Sequence, residues 1–251
     1  IDSNFLLIGN SHSIQAYKGF LFNTKIYKSI NFKNFHIQIS CLDETILVNS
    51  SDRCNEKLNF KKNTKFLKGV EDFKNSKYIL LITRWTEEDL IALPKVIKFL
   101  NDQNKKIIIF NSVSDISKKN DYNKFNDRQL TFIEKNHIKT NFPYNNYLYL
   151  NKRYPTSEEL IEMEKTYYLN RSKDSESINN RLKIISKNLN TNFFNLDKFL
   201  CEDVIKRCKV ITDNKKHIMF DVTGHMELLG SKYLFKIIHK DFMEIINNNN
   251  F

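Results

Sequence analysis

Phe5-Leu6-Leu7-Ile8 runs without a polar break into Gly9-Asn10-Ser11-His12-Ser13. Four apolar residues that stop at a polar, glycine-marked turn read as a buried β-strand. Gly9 lets the backbone bend where a Cβ would clash. Apolar residues then return at helical spacing, at Ile14, Tyr17 and Leu21. Ser11 therefore falls between the C-terminal end of a strand and the first turn of a helix. Amide groups at such a position point past the helix end and lie in positive potential. Two readings follow: Ser11 caps the helix, or it attacks a carbonyl while the neighbouring amides hold the oxyanion.

A second stretch bears on that choice. Phe220-Asp221-Val222-Thr223-Gly224-His225 follows a short strand expected over His217–Phe220 and precedes an apolar helix expected from about Gly230 to Ile246. An acid ahead of a histidine suits a general base and its orienter, because the carboxylate fixes the imidazole tautomer and stabilises the imidazolium. The chain has only five glycines; Gly9 and Gly224 lie in these two stretches, and Gly230 five residues after the second.

The pair resembles the SGNH (GDSL-like) hydrolase superfamily, whose nucleophile block follows the first strand and whose Asp/His block precedes the last helix. The closer resemblance is to the SGNH domain of bacterial carbohydrate O-acetyltransferases linked to an acyltransferase-three membrane domain. Gly9-Asn10-Ser11-His12 fits their first block. Ile79-Leu80-Leu81-Ile82-Thr83-Arg84-Trp85 fits their apolar strand ending in Arg-Trp. Cys201 and Cys208 fit the two cysteines ahead of their last block. The resemblance spans nearly the whole chain, with two departures. Three residues rather than two separate Asp221 from His225, and the Gly-x-Asn-Asp block of the wider superfamily is not visible.

The bulk properties are compatible. A chain of 251 residues buries a core without metals or disulfides. It opens on Ile1, as a fragment or processed product does, and no apolar run approaches the ~20 residues that span a bilayer. The net charge is +11, but the lysines are scattered and no nucleic-acid motif appears, so no nucleic-acid partner is expected. Four cysteines allow three pairings; proximity suggests Cys41 with Cys54 and Cys201 with Cys208, and four buried thiols is the other reading. No Cys-x-x-Cys is present and the histidines do not cluster near the cysteines, so no metal or cofactor is expected.

Further strands are expected over Phe35–Cys41, Tyr78–Thr83, Lys105–Asn111 and Phe193–Leu196. Helices are expected from Thr86 to Leu100, from Pro155 toward Tyr168, and from Ser175 to Leu189. Asp52–Lys77 reads as polar and irregular, and 112–154 as a long insertion over the strand ends. Apolar runs alternating with helices give an α/β fold with three layers, α/β/α, and a mainly parallel sheet. With no internal repeat or linker, residues 1–251 form one domain.

Arg84 and Trp85 would end a strand on the same sheet edge as Ser11, where ligands of open α/β sheets bind. Arg84 there stabilises an oxyanion or grips an anionic sugar, and Trp85 stacks on a sugar ring; a surface arginine beside a packing tryptophan is the bland reading. Asn111 also ends a strand and is placed to line a pocket. His12 points away from Ser11 in a turn, so it touches substrate or a helix end rather than serving as the base.

The resemblance implies the flavodoxin-like SGNH hydrolase fold. It also implies a catalytic set of Ser11, His225 and Asp221, and an oxyanion or substrate-binding set drawn from Gly9, Asn10, His12, Arg84, Trp85 and Asn111. It favours disulfides and a periplasmic or extracytoplasmic location over buried thiols in the cytoplasm. The implied reaction is O-acetylation of a cell-surface carbohydrate through an acyl-serine, with a membrane acyltransferase domain as donor. A free-standing carbohydrate esterase and a non-catalytic glycan-binding module of the same fold are the alternatives.

Overall fold

A computed structural model of the protein describes residues 3–47, 54, 64–113, 151–212, 219–220 and 225–248. β1 (Ser3–Gly9), α1 (Ser11–Leu21) and β2 (Ile30–His36) come first, and a 3-10 turn at Ile39–Cys41 leads into α2 (Leu42–Ile46). Then follow α3 (Thr64–Asn75), β3 (Tyr78–Leu81), α4 (Glu87–Asp102) and β4 (Lys106–Phe110). Beyond α5 (Ser157–Leu169) and α6 (Lys173–Asn188) lie β5 (Asn192–Phe194), the short α7 (Asp197–Leu200) and a hairpin of β6 (Cys201–Glu202) and β7 (Arg207–Cys208). α8 (Leu228–Ile237) and α9 (His239–Asn248) close the described chain.

The first five strands form one parallel sheet in the order β2-β1-β3-β4-β5. The chain winds outward from β1 in both directions, so the crevice between the C-terminal ends of β1 and β3 is the topological switch point where such folds bind ligands. Alternation along each strand explains the unbroken apolar runs. Phe5, Leu7, Tyr78, Leu80, Ile108 and Phe110 face α1, α8 and α9, with Phe20, Phe235 and Phe242 in the same core. Leu6, Ile8, Ile79, Leu81, Ile107 and Ile109 face the other way, onto Phe73 of α3, Leu93 and Ile97 of α4 and Leu182 of α6. Both faces are covered, as a parallel sheet requires.

The helix starts follow their local chemistry. Thr86 caps α4 while Asp89 accepts from the Thr86 N–H, and Thr156 with Glu159 does the same for α5. Lys105, whose amine donates to the carbonyl oxygens of Phe73, Lys74 and Ser76, closes the end of α3.

Three expectations are corrected. Phe35, Ile37, Ile39 and Cys41 are buried alternately, as a strand's residues would be, yet β2 ends at His36. Its partner β1 ends at Gly9, so after Ile37 N–H donates to Gly9 O there is no backbone left to pair with. Within Asp52–Lys77, α3 is helical: Phe66, Val70 and Phe73 lie on one face and pack on the core, with Gly69 tight against Phe35. The last helix is two, broken at Ile238. Of the expected strand before His225, only Met219 and Phe220 are among the described residues, and Phe220 makes a single antiparallel bridge to Met226. Most of the expected insertion, at 114–150, lies outside the described residues. Among the described residues no helix is long and apolar enough to cross a membrane.

Candidate active site

The turn that carries Ser11 is held from several directions. A Cβ on Gly9 would stand 1.8 Å from Ile82 O, so β1 meets β3 there at a distance only glycine permits. Asn10 follows in an extended conformation and caps α1: its Oδ1 accepts from His12 N–H at 3.1 Å and also from Arg84 N–H at 3.3 Å. Its carbonyl accepts from the backbone N–H and the hydroxyl of Ser13, and Asn34 Nδ2 donates to Ser13 Oγ at 2.9 Å. The turn is thereby tied to β2 on one side and to the end of β3 on the other. Ser11 is the first helical residue of α1, half-buried at the C-terminal end of β1.

His225 comes to it from across the chain. Ser11 Oγ and His225 Nε2 are 2.8 Å apart, over a sequence separation of 214 residues. With the ring proton on Nδ1, the Ser11 hydroxyl donates to Nε2, the arrangement from which a base takes a nucleophile's proton. Neighbouring bonds fix where the ring sits. Met226 N–H donates to Gln15 Oε1 at 3.2 Å, Glu227 N–H donates to Met219 O at 2.9 Å, and Met219 N–H donates to Val210 O at 3.0 Å. Gly230 packs so closely on Met219 that a Cβ would lie 2.5 Å from its carbonyl oxygen. Ser231 Oγ donates to Gln15 O at 2.6 Å, so Gln15 of α1 holds both the segment after His225 and the start of α8.

The other expected site residues divide. The His12 and His225 rings are 5.4 Å apart, and His12 borders a small apolar hollow with Ile82, Thr83, Asn111 and Phe220. Arg84 lies three residues beyond the end of β3, exposed, with its backbone N–H on Asn10 Oδ1. Trp85 is 3 % exposed, its indole N–H donates to Phe110 O at 2.7 Å, and it packs in the core under α4. Its ring therefore offers no face for a sugar to stack on. Asn111, 1 % exposed, borders the hollow, but its amide accepts from Leu196 N–H at 2.6 Å and donates to Asp197 Oδ2 at 3.1 Å, linking the ends of β4 and β5. Asp221 lies outside the described residues, as does Gly224.

Disulfides join Cys41 to Cys54 and Cys201 to Cys208. The second bridges directly opposed residues of the β6–β7 hairpin. Two residues on, Val210 receives the Met219 N–H, so the hairpin supports the segment leading to His225. Gln15, Asn34 and Ser13 were not singled out from the sequence. Gln15 lies one turn after Ser11 on the same helix face, which is the one sign that it could reach the site.

The chain matches the family model described as the SGNH domain fused to AT3 domains over residues 1–240, and it belongs to that family. Among solved structures, it is similar to the periplasmic domain of the lipopolysaccharide acetyltransferase of Salmonella ser. Paratyphi A, with 17% sequence identity and a TM-score of 0.62, over 97% of this chain and 84% of that one. A GDSL-like lipase from Bacteroides thetaiotaomicron aligns over 98% of this chain and 89% of its own, at 10% identity and a TM-score of 0.47. The first of these likenesses is one of fold. No curated protein sequence matches significantly.

Proposed function

We propose, from the chain's membership of the SGNH family and the approach of Ser11 to His225, that it transfers an acyl group through an acyl-serine at Ser11. The observation that carries this reading is the 2.8 Å separation of Ser11 Oγ and His225 Nε2 at the start of a helix. In the first half-reaction, Ser11 Oγ attacks the donor's acyl carbon while its proton passes to His225 Nε2. Electrons move onto the carbonyl oxygen, which Ser11 N–H at the first turn of α1 stabilises. His12 N–H already donates to Asn10 Oδ1, which leaves Ser11 N–H the better placed of the two. The tetrahedral adduct collapses, the donor's leaving group departs with the proton from His225, and the acyl-serine remains. In the second half, an acceptor hydroxyl gives its proton to His225 as it attacks the acyl carbon, and the second tetrahedral adduct collapses with His225 returning that proton to Ser11 Oγ, which leaves as the free hydroxyl. Asp221 is assigned the orienting role at the other nitrogen of His225.

The acceptor is a carbohydrate hydroxyl, the acyl group acetyl, and the donor a membrane acyltransferase domain. This finer reading is supported by the AT3 fusion that describes the family and by the fold shared with the Salmonella lipopolysaccharide acetyltransferase domain. Two disulfides and that periplasmic relative support an extracytoplasmic location. Hydrolysis is the same chemistry with water as acceptor. Incubation with p-nitrophenyl acetate, with and without a polysaccharide acceptor, tests the reading. Faster p-nitrophenol release with acetyl ester appearing on the polysaccharide supports transfer, and release to free acetate alone assigns an esterase. No Ser11-dependent release with either acceptor contradicts both.

A further inference from the structure

The acids of this protein are unevenly distributed, although its lysines are not. No Asp or Glu occurs from Ser3 to Leu42, nor from Leu228 to Lys240, although the chain has 29 of them. The first holds β1, α1, β2 and the 3-10 turn, and the second holds α8 with the first residues of α9; of these, α1 with the turn after it and α8 lie at the surface together. They pack side by side. Gly19 lies against Phe235, Asn23 Nδ2 donates to Lys232 O at 2.8 Å, and Tyr27 OH donates to Phe235 O at 2.7 Å. Lys18, Lys25, Lys28, Lys232, Lys236 and Lys240 are all exposed on them.

None of the six makes an ion pair with the described residues. The opposite layer differs. α4 carries Glu87, Glu88, Asp89 and Asp102 beside its own lysines, and Lys98, Lys95 and Arg181 are paired there. Lys68, Lys74, Lys183 and Lys187 of that layer make no ion pair with the described residues either, but Glu71 and Asp72 on α3 and Asp174 and Glu176 on α6 share their helices, so the α1–α8 segments alone carry lysines with no acid among them. The cationic face is also apolar: Leu21, Phe22 and Ile26 are 42 %, 49 % and 40 % exposed, and Lys232 Nζ lies 5.8 Å from the Phe22 ring. A soluble polyanion would be met by the lysines alone. Exposed apolar side chains among lysines that pair with no acid of the described residues suit a surface that is anionic at its headgroups and hydrocarbon beneath.

We propose that the α1–α8 face docks on an anionic lipid bilayer, with the lysines at lipid phosphates and Leu21, Phe22 and Ile26 in the interfacial region. Ser11 begins α1, and His225 stands three residues before the exposed Leu228 and Leu229 at the start of α8. Ser11 then stands two turns, about 10 Å, along α1 from Lys18, so the site lies near the docked face rather than within it. This inference does not rest on the acyl chemistry.

Vesicle co-sedimentation tests it, with phosphatidylcholine alone or mixed with phosphatidylglycerol, at low and high salt. The wild-type chain and Ser11→Ala are expected to bind mixed vesicles equally, to release them at high salt, and to ignore neutral ones. Lys18→Gln/Lys25→Gln/Lys232→Gln/Lys236→Gln should bind at least about 100-fold more weakly. Phe22→Ser/Ile26→Ser should lose about tenfold. The charge-matched control Lys68→Gln/Lys74→Gln/Lys183→Gln/Lys187→Gln, on α3 and α6, should bind like wild type, with circular dichroism confirming that each variant folds. Three results would overturn the proposal: no binding to anionic vesicles, equal losses in the two lysine variants, or dextran sulfate bound as tightly as vesicles with Phe22→Ser/Ile26→Ser unaffected.

Discussion

Gln15 and Met226 are joined across 211 residues of sequence: the Met226 N–H donates to Gln15 Oε1 at 3.2 Å, one residue beyond the histidine that meets Ser11. The nucleophile and the clamp on its base thus come from the same helix, one turn apart. Replacing Gln15 with Leu keeps the bulk of the side chain and removes the acceptor. We expect kcat to fall about tenfold with KM nearly unchanged, because the loss of one such bond is worth roughly 1–3 kcal/mol in positioning. Steady-state kinetics with p-nitrophenyl acetate would show it, and an equal rise in KM would point instead to a substrate contact.

The assignment of Asp221 makes a sharp claim about the same ring. Asp221→Asn preserves shape but reverses the hydrogen-bonding preference at the histidine's second nitrogen. The expected loss in kcat is about 10⁴-fold, with the fold retained. Activity within a few-fold of wild type would assign a Ser11–His225 dyad and remove Asp221 from the mechanism.

Disulfide reduction should act on stability first. Cys201 and Cys208 close a loop with a sequence separation of 7. Cys201→Ser/Cys208→Ser should cost about 2–3 kcal/mol by loop-closure entropy, read as a shift of the urea midpoint. Activity should fall as well, since the hairpin supports Val210 and, through it, Met219. A variant that is destabilised but fully active would separate the hairpin from the site.

Tyr27 gives the fold an alkaline limit. Its hydroxyl is buried against Phe235 O, and burial raises its pKa above the usual tyrosine range. Below pH ~10 both folded and unfolded chains keep this proton, so its contribution is intact. Above that, the unfolded chain releases the proton and the folded one does not, and stability falls by about 1.4 kcal/mol per pH unit from this group. Tyr27→Phe lacks that slope. The stability gap between wild type and Tyr27→Phe should therefore narrow between pH 9 and pH 11; a gap constant over that range would contradict the assignment.

Much of this architecture is written in local sequence. The strands β1, β3 and β4 are apolar runs with polar exits, and two glycine-marked turns flag Ser11 and His225, whose meeting the sheet topology then brings about. The remainder depends on what lies opposite. Burial alternates through Phe35–Cys41, but pairing stops where β1 stops, and β1's length is not encoded in that segment. α3 sits in a lysine- and asparagine-rich stretch, so its three core aromatic and aliphatic contacts are sparse against the background. Whether Trp85 faces solvent or core is decided by Phe110 O and Ser112 Oγ on the far side of β4. Gln15 finds its role only because the fold carries Met226 back to it.

Ser11 becomes acylated in this mechanism, with His225 as its base. Intact-mass spectrometry after brief mixing with p-nitrophenyl acetate tests it most directly. The expected result is a wild-type species heavier by one acetyl group, mapped by peptide analysis to Ser11, absent from Ser11→Ala and strongly slowed in His225→Ala while both variants remain folded. An acetyl adduct that forms as fast on Ser11→Ala, or that maps only to lysines, would contradict it.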